Sequence, residues 1–271
     1  MKRFFAWLVV AVCAVVFVGC GNGGEDVADV ISQNETQNEM QTEVQDEVQA
    51  QTQDNNGSDI PTNVSVGDII QFGEYDWRVL DVQDGRALLL SDKVLELRRY
   101  HDTLEDVTWE TSYMRAYLNG DFYNSFSEAD RAKIHETTLA NNDNPWDFSS
   151  IEQIEALNKT PGGNDTEDNI FLLSLDEVVK YFGDSEYLEN QNHPNNHLFY
   201  GIGLGFSGQN SNGRIALNAQ GQVSWWWLRS PGDVSSDAAC VSTDGQVYVS
   251  GIYCYYGGGG VRPALWLNLA S

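Results

Sequence analysis

The chain has 271 residues, 40 of them acidic against 15 basic, for a formal net charge of -25. Such a surface repels nucleic-acid phosphates and anionic lipid headgroups, and no basic patch interleaved with aromatics offsets it, so nucleic-acid binding is excluded. The length suits leading segments followed by one domain of ordinary size, and four cysteines do not make a disulfide framework.

Residues 1–19 read as a signal peptide. Lys2 and Arg3 precede the apolar run FFAWLVVAVCAVVFVGC, which is too short for a comfortable transmembrane helix. Val18-Gly19-Cys20 resembles the lipobox of bacterial lipoproteins, and Gly21-Asn22-Gly23-Gly24 supplies a flexible polar start for a mature chain. That resemblance implies diacylglycerol on the Cys20 sulfur and a protein held on the extracellular face of the cell membrane. An ordinary secretory signal with an incidental cysteine, or an uncleaved anchor, is the alternative. Residues 20–63 are rich in Gln, Asn, Glu, Asp and Thr and lack aromatics, so they bury too little apolar area to offset their ordering entropy. They read as a disordered acidic stalk, spanning on the order of 35 Å as a coil.

A single α+β domain is expected over residues 64–271. Ile69 to Phe72, Asp76 to Gln83 and Arg86 to Leu90 are alternating or apolar runs split by turn residues such as Asp84-Gly85, which predicts an antiparallel meander. A helix is expected after Thr111 or Ser112, running through Tyr113 to Leu118 and stopped by Asn119-Gly120. Ser127 to Asp130 has capping-box spacing ahead of Arg131 to His135, and Ser174 to Glu177 repeats it ahead of Val178 to Phe182, with Gly183 as the stop. Strands are predicted at Ile170 to Leu173, Arg214 to Leu217, Gln222 to Leu228 and Val261 to Leu267. Ala239 to Ser250 reads as a hairpin about a two-residue Asp244-Gly245 turn, a register that puts Cys240 on the face of Val247 and Val249 and Tyr248 on the other. With Cys13 in the signal and Cys20 acylated, only Cys240 and Cys254 remain to pair; that geometry favours two free thiols.

Gly203 to Gly208 satisfies G-x-G-x-x-G, but Gln209 to Gly213 reads as loop, so the helix N-terminus that a pyrophosphate needs is missing. Asn164 to Asn169 concentrates oxygen ligands; a polar turn is favoured over calcium held by Asp165 and Asp168, because Ile170 stands where an EF-hand requires Gly. His193 and His197 are four apart with Pro194 between them, which favours a surface loop over zinc. No two carboxylates stand out as a catalytic pair, and nothing specifies a cofactor. In Trp225-Trp226-Trp227, most of the aromatic area is expected in the core, with Arg229 paired to a carboxylate. Tyr253, Tyr255 and Tyr256 lead into the Gly257 to Gly260 run, a composition typical of adaptable contact surfaces, and with Tyr248 they are the candidate ligand-binding residues.

Trp226-Trp227-Leu228-Arg229-Ser230-Pro231-Gly232, Asp244-Gly245-Gln246-Val247 and Gly260-Val261-Arg262-Pro263-Ala264-Leu265-Trp266-Leu267 resemble an uncharacterised domain of bacterial, mostly Gram-positive, surface proteins. Phe72-Gly73 with Trp77 to Leu80, Ser112 to Asn119, and Gly162 to Thr166 with Ile170 to Ser174 look like its upstream blocks. That domain is more distantly similar to the C-type-lectin-like fold of formylglycine-generating enzymes and retroelement-diversified receptors. The resemblance implies chain termini together in one sheet and ligand contacts on loops before the last strand. The expected function is a lipid-anchored extracellular module for recognition or adhesion, with a protein or glycan ligand. The alternative is an enzyme, either a copper-cysteine oxidase using a cysteine pair or a carbohydrate-active hydrolase.

Overall fold

A computed structural model describes residues 57–61, 63–144, 160–183, 205–206 and 211–269. Cys20 and nearly all of the proposed stalk, His193, His197 and most of Gly203 to Gly208 lie outside the described residues.

The meander forms as predicted. Strands β1 (Ile69–Phe72), β2 (Tyr75–Gln83) and β3 (Arg86–Ser91) pair antiparallel, with Asp84 and Gly85 both at positive φ in the tight turn between β2 and β3. The chain then runs through β4 (Glu96–Leu97) to a group of short helices. Helix α1 (Tyr113–Tyr117) is capped by the Ser112 hydroxyl, which accepts from the Arg115 N–H at 3.1 Å. It does not stop at Asn119-Gly120. Leu118–Phe122 continue as a π-helical turn into α2 (Tyr123–Ser125), because Asn119 is a stitch to another segment. Its side-chain amide donates to Asp168 at 3.0 Å and to the Ile170 carbonyl at 2.9 Å, and its oxygen accepts from the Asn169 N–H at 2.8 Å. Helix α3 (Glu128–Arg131) starts at the Ser127 cap but ends early, since Ile134 and His135 form β5 (Ile134–His135).

After β6 (Thr137–Leu139) and β7 (Thr166–Asp168), helix α4 (Leu175–Phe182) carries the full capping box and ends at Gly183 with φ 76°. Ile170 to Leu173, expected as a strand, is fully buried but makes only a single bridge. Phe171 exchanges hydrogen bonds of 2.9 and 2.7 Å with Ala264, whereas the Leu173 carbonyl accepts from Arg229 N–H at 2.9 Å. A segment that serves two sheets cannot hold one ladder. Next come β8 (Gly205–Phe206), α5 (Ser211–Arg214), β9 (Ala216–Leu217), β10 (Val223–Ser224), β11 (Trp226–Pro231), β12 (Asp237–Val241), β13 (Val247–Tyr253), β14 (Gly260–Val261) and β15 (Ala264–Asn268). A strand thus lies inside the glycine motif, and a four-residue helix stands at Ser211–Arg214 where loop was expected. Arg214 ends that helix instead of starting a strand, its buried guanidinium donating to the carbonyls of Gly245 at 2.6 Å and Gly183 at 2.7 Å.

Two larger sheets result. One has the order β1-β2-β3-β15-β5, so the first and last strands of the domain lie in the same sheet. The other has the order β4-β14-β11-β12-β13-β8, antiparallel except for the β11–β14 pair. Mostly antiparallel strands with a few short helices place the domain in the α+β class. Trp226 and Trp227 are both fully buried on opposite faces of β11, which makes that cluster core, and Arg229 pairs with Glu177. Arg262 is buried too, its guanidinium 5.0 Å from the Trp226 ring centre, and burial lowers its pKa to about 10. At the other end, ordered contacts start before Val64: Ser58 N–H donates to Asp130 at 2.6 Å and its hydroxyl accepts from Gly73 N–H at 2.7 Å.

The hairpin register differs from expectation by one residue. Val241 faces Val247 and Cys240 faces Tyr248, because Ser242 N–H bonds the Gln246 carbonyl at 2.8 Å and closes a longer turn. Asp244 stabilises it by accepting from the Ser242 hydroxyl and from Gln246 N–H. The slip puts Cys240 on the Tyr248 face, opposite to the prediction. Farther along, Val249 to Gly251 bulge opposite Ala239, with Gly251 at φ 80°.

Candidate functional site

From the last residue of β13 into the connection to β14 the chain carries Tyr253, Tyr255 and Tyr256 at 54%, 39% and 55% exposure. Rings left this far in water forgo part of the roughly 1.5–3 kcal/mol that full burial of a large apolar side chain supplies. Tyr253 and Tyr255 stack with centroids 5.8 Å apart, and Tyr256 lies 6.0 Å from half-buried Trp225. Trp225 stands edge-on to Trp227 at 4.7 Å, which ties the exposed rings to the core.

The loop is pinned, not loose, although its glycine content predicts flexibility. Cys254 is buried between Tyr253 and Tyr255; its N–H donates to the Ser236 carbonyl and its carbonyl accepts from His101 N–H, both at 3.0 Å. Tyr256 N–H closes a turn onto the Tyr253 carbonyl at 2.9 Å. Arg98 N–H donates to the Gly259 carbonyl at 2.8 Å, and Trp227 Nε1 to the Arg98 carbonyl at 2.9 Å. A Cβ on Gly259 would lie 1.9 Å from Trp227 Nε1, so only glycine lets the backbone cross the indole there. Buried cysteine and glycine thus set the exposed tyrosines in place. Tyr248, the fourth predicted contact, is half-buried in the sheet between Cys240 and Gly205 and packs against the core.

Residues 84–269 match the family described as Domain of unknown function (DUF6273). The chain belongs to this family. Among curated proteins and solved structures, none matches. The DUF6273 match takes in the tyrosine loop, the tryptophan cluster and both cysteines of the folded region.

In this DUF6273 domain Asp237, which faces Tyr253 across the β12–β13 pair, has its pKa raised to about 6. Burial is the main cause, a Ser236 hydroxyl bond opposes it, and the nearby Asp233 carboxylate adds repulsion. Burial raises Asp233 as well. Sequence inspection misses this pair, since two acids four residues apart after Pro231-Gly232 look like ordinary turn residues. Cys240 and Cys254 are free and buried, and burial pushes both thiols up to about 12. They stay protonated at neutral pH, which suits packing and does not suit thiolate ligation of copper.

The calcium candidates are already engaged. Asp168, fully buried, accepts from Trp109 Nε1 at 2.8 Å, Thr166 Oγ1 at 2.7 Å, Arg115 Nε at 2.7 Å and Asn119 Nδ2 at 3.0 Å. Those four donors occupy both oxygens and hold α1 to β7. Asp165, just before β7, accepts from Asn141 N–H at 3.2 Å, and Thr166 to Asp168 pair with β6 as a strand where a polar turn was expected. Among the described residues no group of three His, Cys, Asp or Glu converges for a metal, and no helix is long and apolar enough to cross a membrane.

Proposed function

We propose that this protein is a lipid-anchored ligand-binding module of a bacterial cell surface. In this reading Cys20 carries the acyl anchor, residues 20–63 form a charged stalk, and the DUF6273 domain presents Tyr253, Tyr255 and Tyr256 outward. The observation that carries it is the exposure of three tyrosines on one short loop fixed by a buried cysteine and a glycine crossing. Rigid aromatics at low entropic cost are what a recognition surface needs. The sharing of one sheet by the first and last strands, with the aromatic loop just before the last two strands, supports a C-type-lectin-like frame. The protonated, buried cysteines favour binding over copper oxidation. A glycan and protein array probed with the wild-type chain and with a Tyr253→Ala, Tyr255→Ala, Tyr256→Ala variant tests the face, and identical profiles would discard it. Native mass spectrometry tests the anchor; a mature protein without lipid mass on Cys20 would remove it.

A further inference from the structure

We infer that the tyrosine face takes a sugar carrying a single carboxylate, with Arg99 as the group that meets the carboxylate. The inference rests on the binding-module reading and names its ligand class. Arg99 is exposed, and it makes no ion pair or hydrogen bond among the described residues, whereas Arg98 beside it is held by Glu96 and lies over Tyr117. An unpaired guanidinium stands out in a chain with 40 acids and 15 bases. It borders the aromatic loop: its Nε lies 3.8 Å from where a Gly257 Cβ would be.

Between Arg99 and Tyr256 the surface is bare backbone. Gly257 and Gly258 carry no side chains, and their peptide groups take no hydrogen bond among the described residues. Open amides and phenol hydroxyls match a ligand that is ringed with hydroxyls, while the tyrosine and tryptophan faces match its C–H faces. A guanidinium fork matches a carboxylate bidentately. The net charge of -25 disfavours polyanions, so the exposed, unpaired guanidinium beside the loop suits a ligand with one negative charge.

The test titrates the full chain with trisaccharides ending in glucuronate or sialate, and with the same trisaccharides after reduction of the carboxylate to an alcohol. The expected result is binding of the carboxylated forms that falls about tenfold on reduction of the sugar and about tenfold in Arg99→Gln. The two losses do not add when combined, and Arg99→Lys recovers part of the affinity. The triple tyrosine-to-alanine variant loses on the order of 100-fold. Both positions are exposed, so the melting midpoint serves as a control for folding. Equal affinity for reduced and carboxylated sugars, an unaffected Arg99→Gln, or no binding of any of these sugars would overturn the carboxylate assignment. Tyrosine-dependent binding of peptides alone would overturn it too while leaving the binding face intact. Sugar binding indifferent to the tyrosines would overturn both.

Discussion

Removing the Glu177 carboxylate is expected to destabilise the domain strongly, because that group holds two features together. Its Oε2 accepts from the Ser174 N–H at 2.8 Å to complete the capping box of α4, and the same carboxylate pairs with Arg229 through its two terminal guanidinium nitrogens. Arg229 is 5% exposed and sits in the Trp226 to Pro231 strand, where it also donates to the Leu172 carbonyl at 2.9 Å. Glu177→Ala removes half of the cap, about 1 kcal/mol, and strands a buried cation, about 3 kcal/mol at the lower end because Leu172 remains a partner. The sum is about 4 kcal/mol. Glu177→Gln keeps a capping acceptor and loses the charge, for about 2 kcal/mol. Adding Arg229→Met to Glu177→Gln removes the stranded cation and returns part of that loss. Urea unfolding at constant m-value measures all three. A loss below about 1 kcal/mol in Glu177→Ala, or equal losses for Ala and Gln, would refute the account of this pair.

Asp237 holds its proton more tightly in the folded domain, at about 6 against 3.8 as a free side chain, so stability falls as pH rises from about 4 to about 6 and is level above. Asp237→Asn flattens that slope and stabilises the domain at pH 7 by about 1 kcal/mol, having discounted for its half-exposed position the roughly 3 kcal/mol that two pKa units carry; melting curves from pH 4 to 8 that remain parallel to wild type would contradict this. Gly259→Ala drives a methyl into Trp227 and should cost about 1–3 kcal/mol, read as a lower melting midpoint with altered tryptophan fluorescence. Cys240 and Cys254 should resist thiol-specific labelling at neutral pH and react in denaturant, and reductant should leave the melting midpoint unchanged. Rapid labelling of the native protein at either position would show the thiols to be accessible.

Signals contained within a few residues predicted the structure well. The α4 capping box, the Gly183 stop and the Asp84-Gly85 turn each depend on neighbours in the chain, and all three form. Features decided by distant partners did not follow from local pattern. Asn119 reads as a helix stop until Asp168 and Ile170 are brought to it, and Ile170 to Leu173 reads as a strand until two sheets claim its backbone. The hairpin slipped by one residue because Ser242 and Asp244 close a longer turn than Asp244-Gly245 alone, which moved Cys240 to the other face. The same divide runs through the candidate site. Clustering of Tyr253, Tyr255 and Tyr256 was legible from spacing and composition, but the part played by Trp225, the burial of Asp237 and the isolation of Arg99 depend on segments far apart in sequence.

The binding face is tested most directly by titration calorimetry of the full chain against its strongest array ligand, with and without the three loop tyrosines. A loss of at least about 100-fold in affinity, with the melting midpoint unchanged, is the predicted result. Equal affinities for wild type and the triple alanine variant would contradict it.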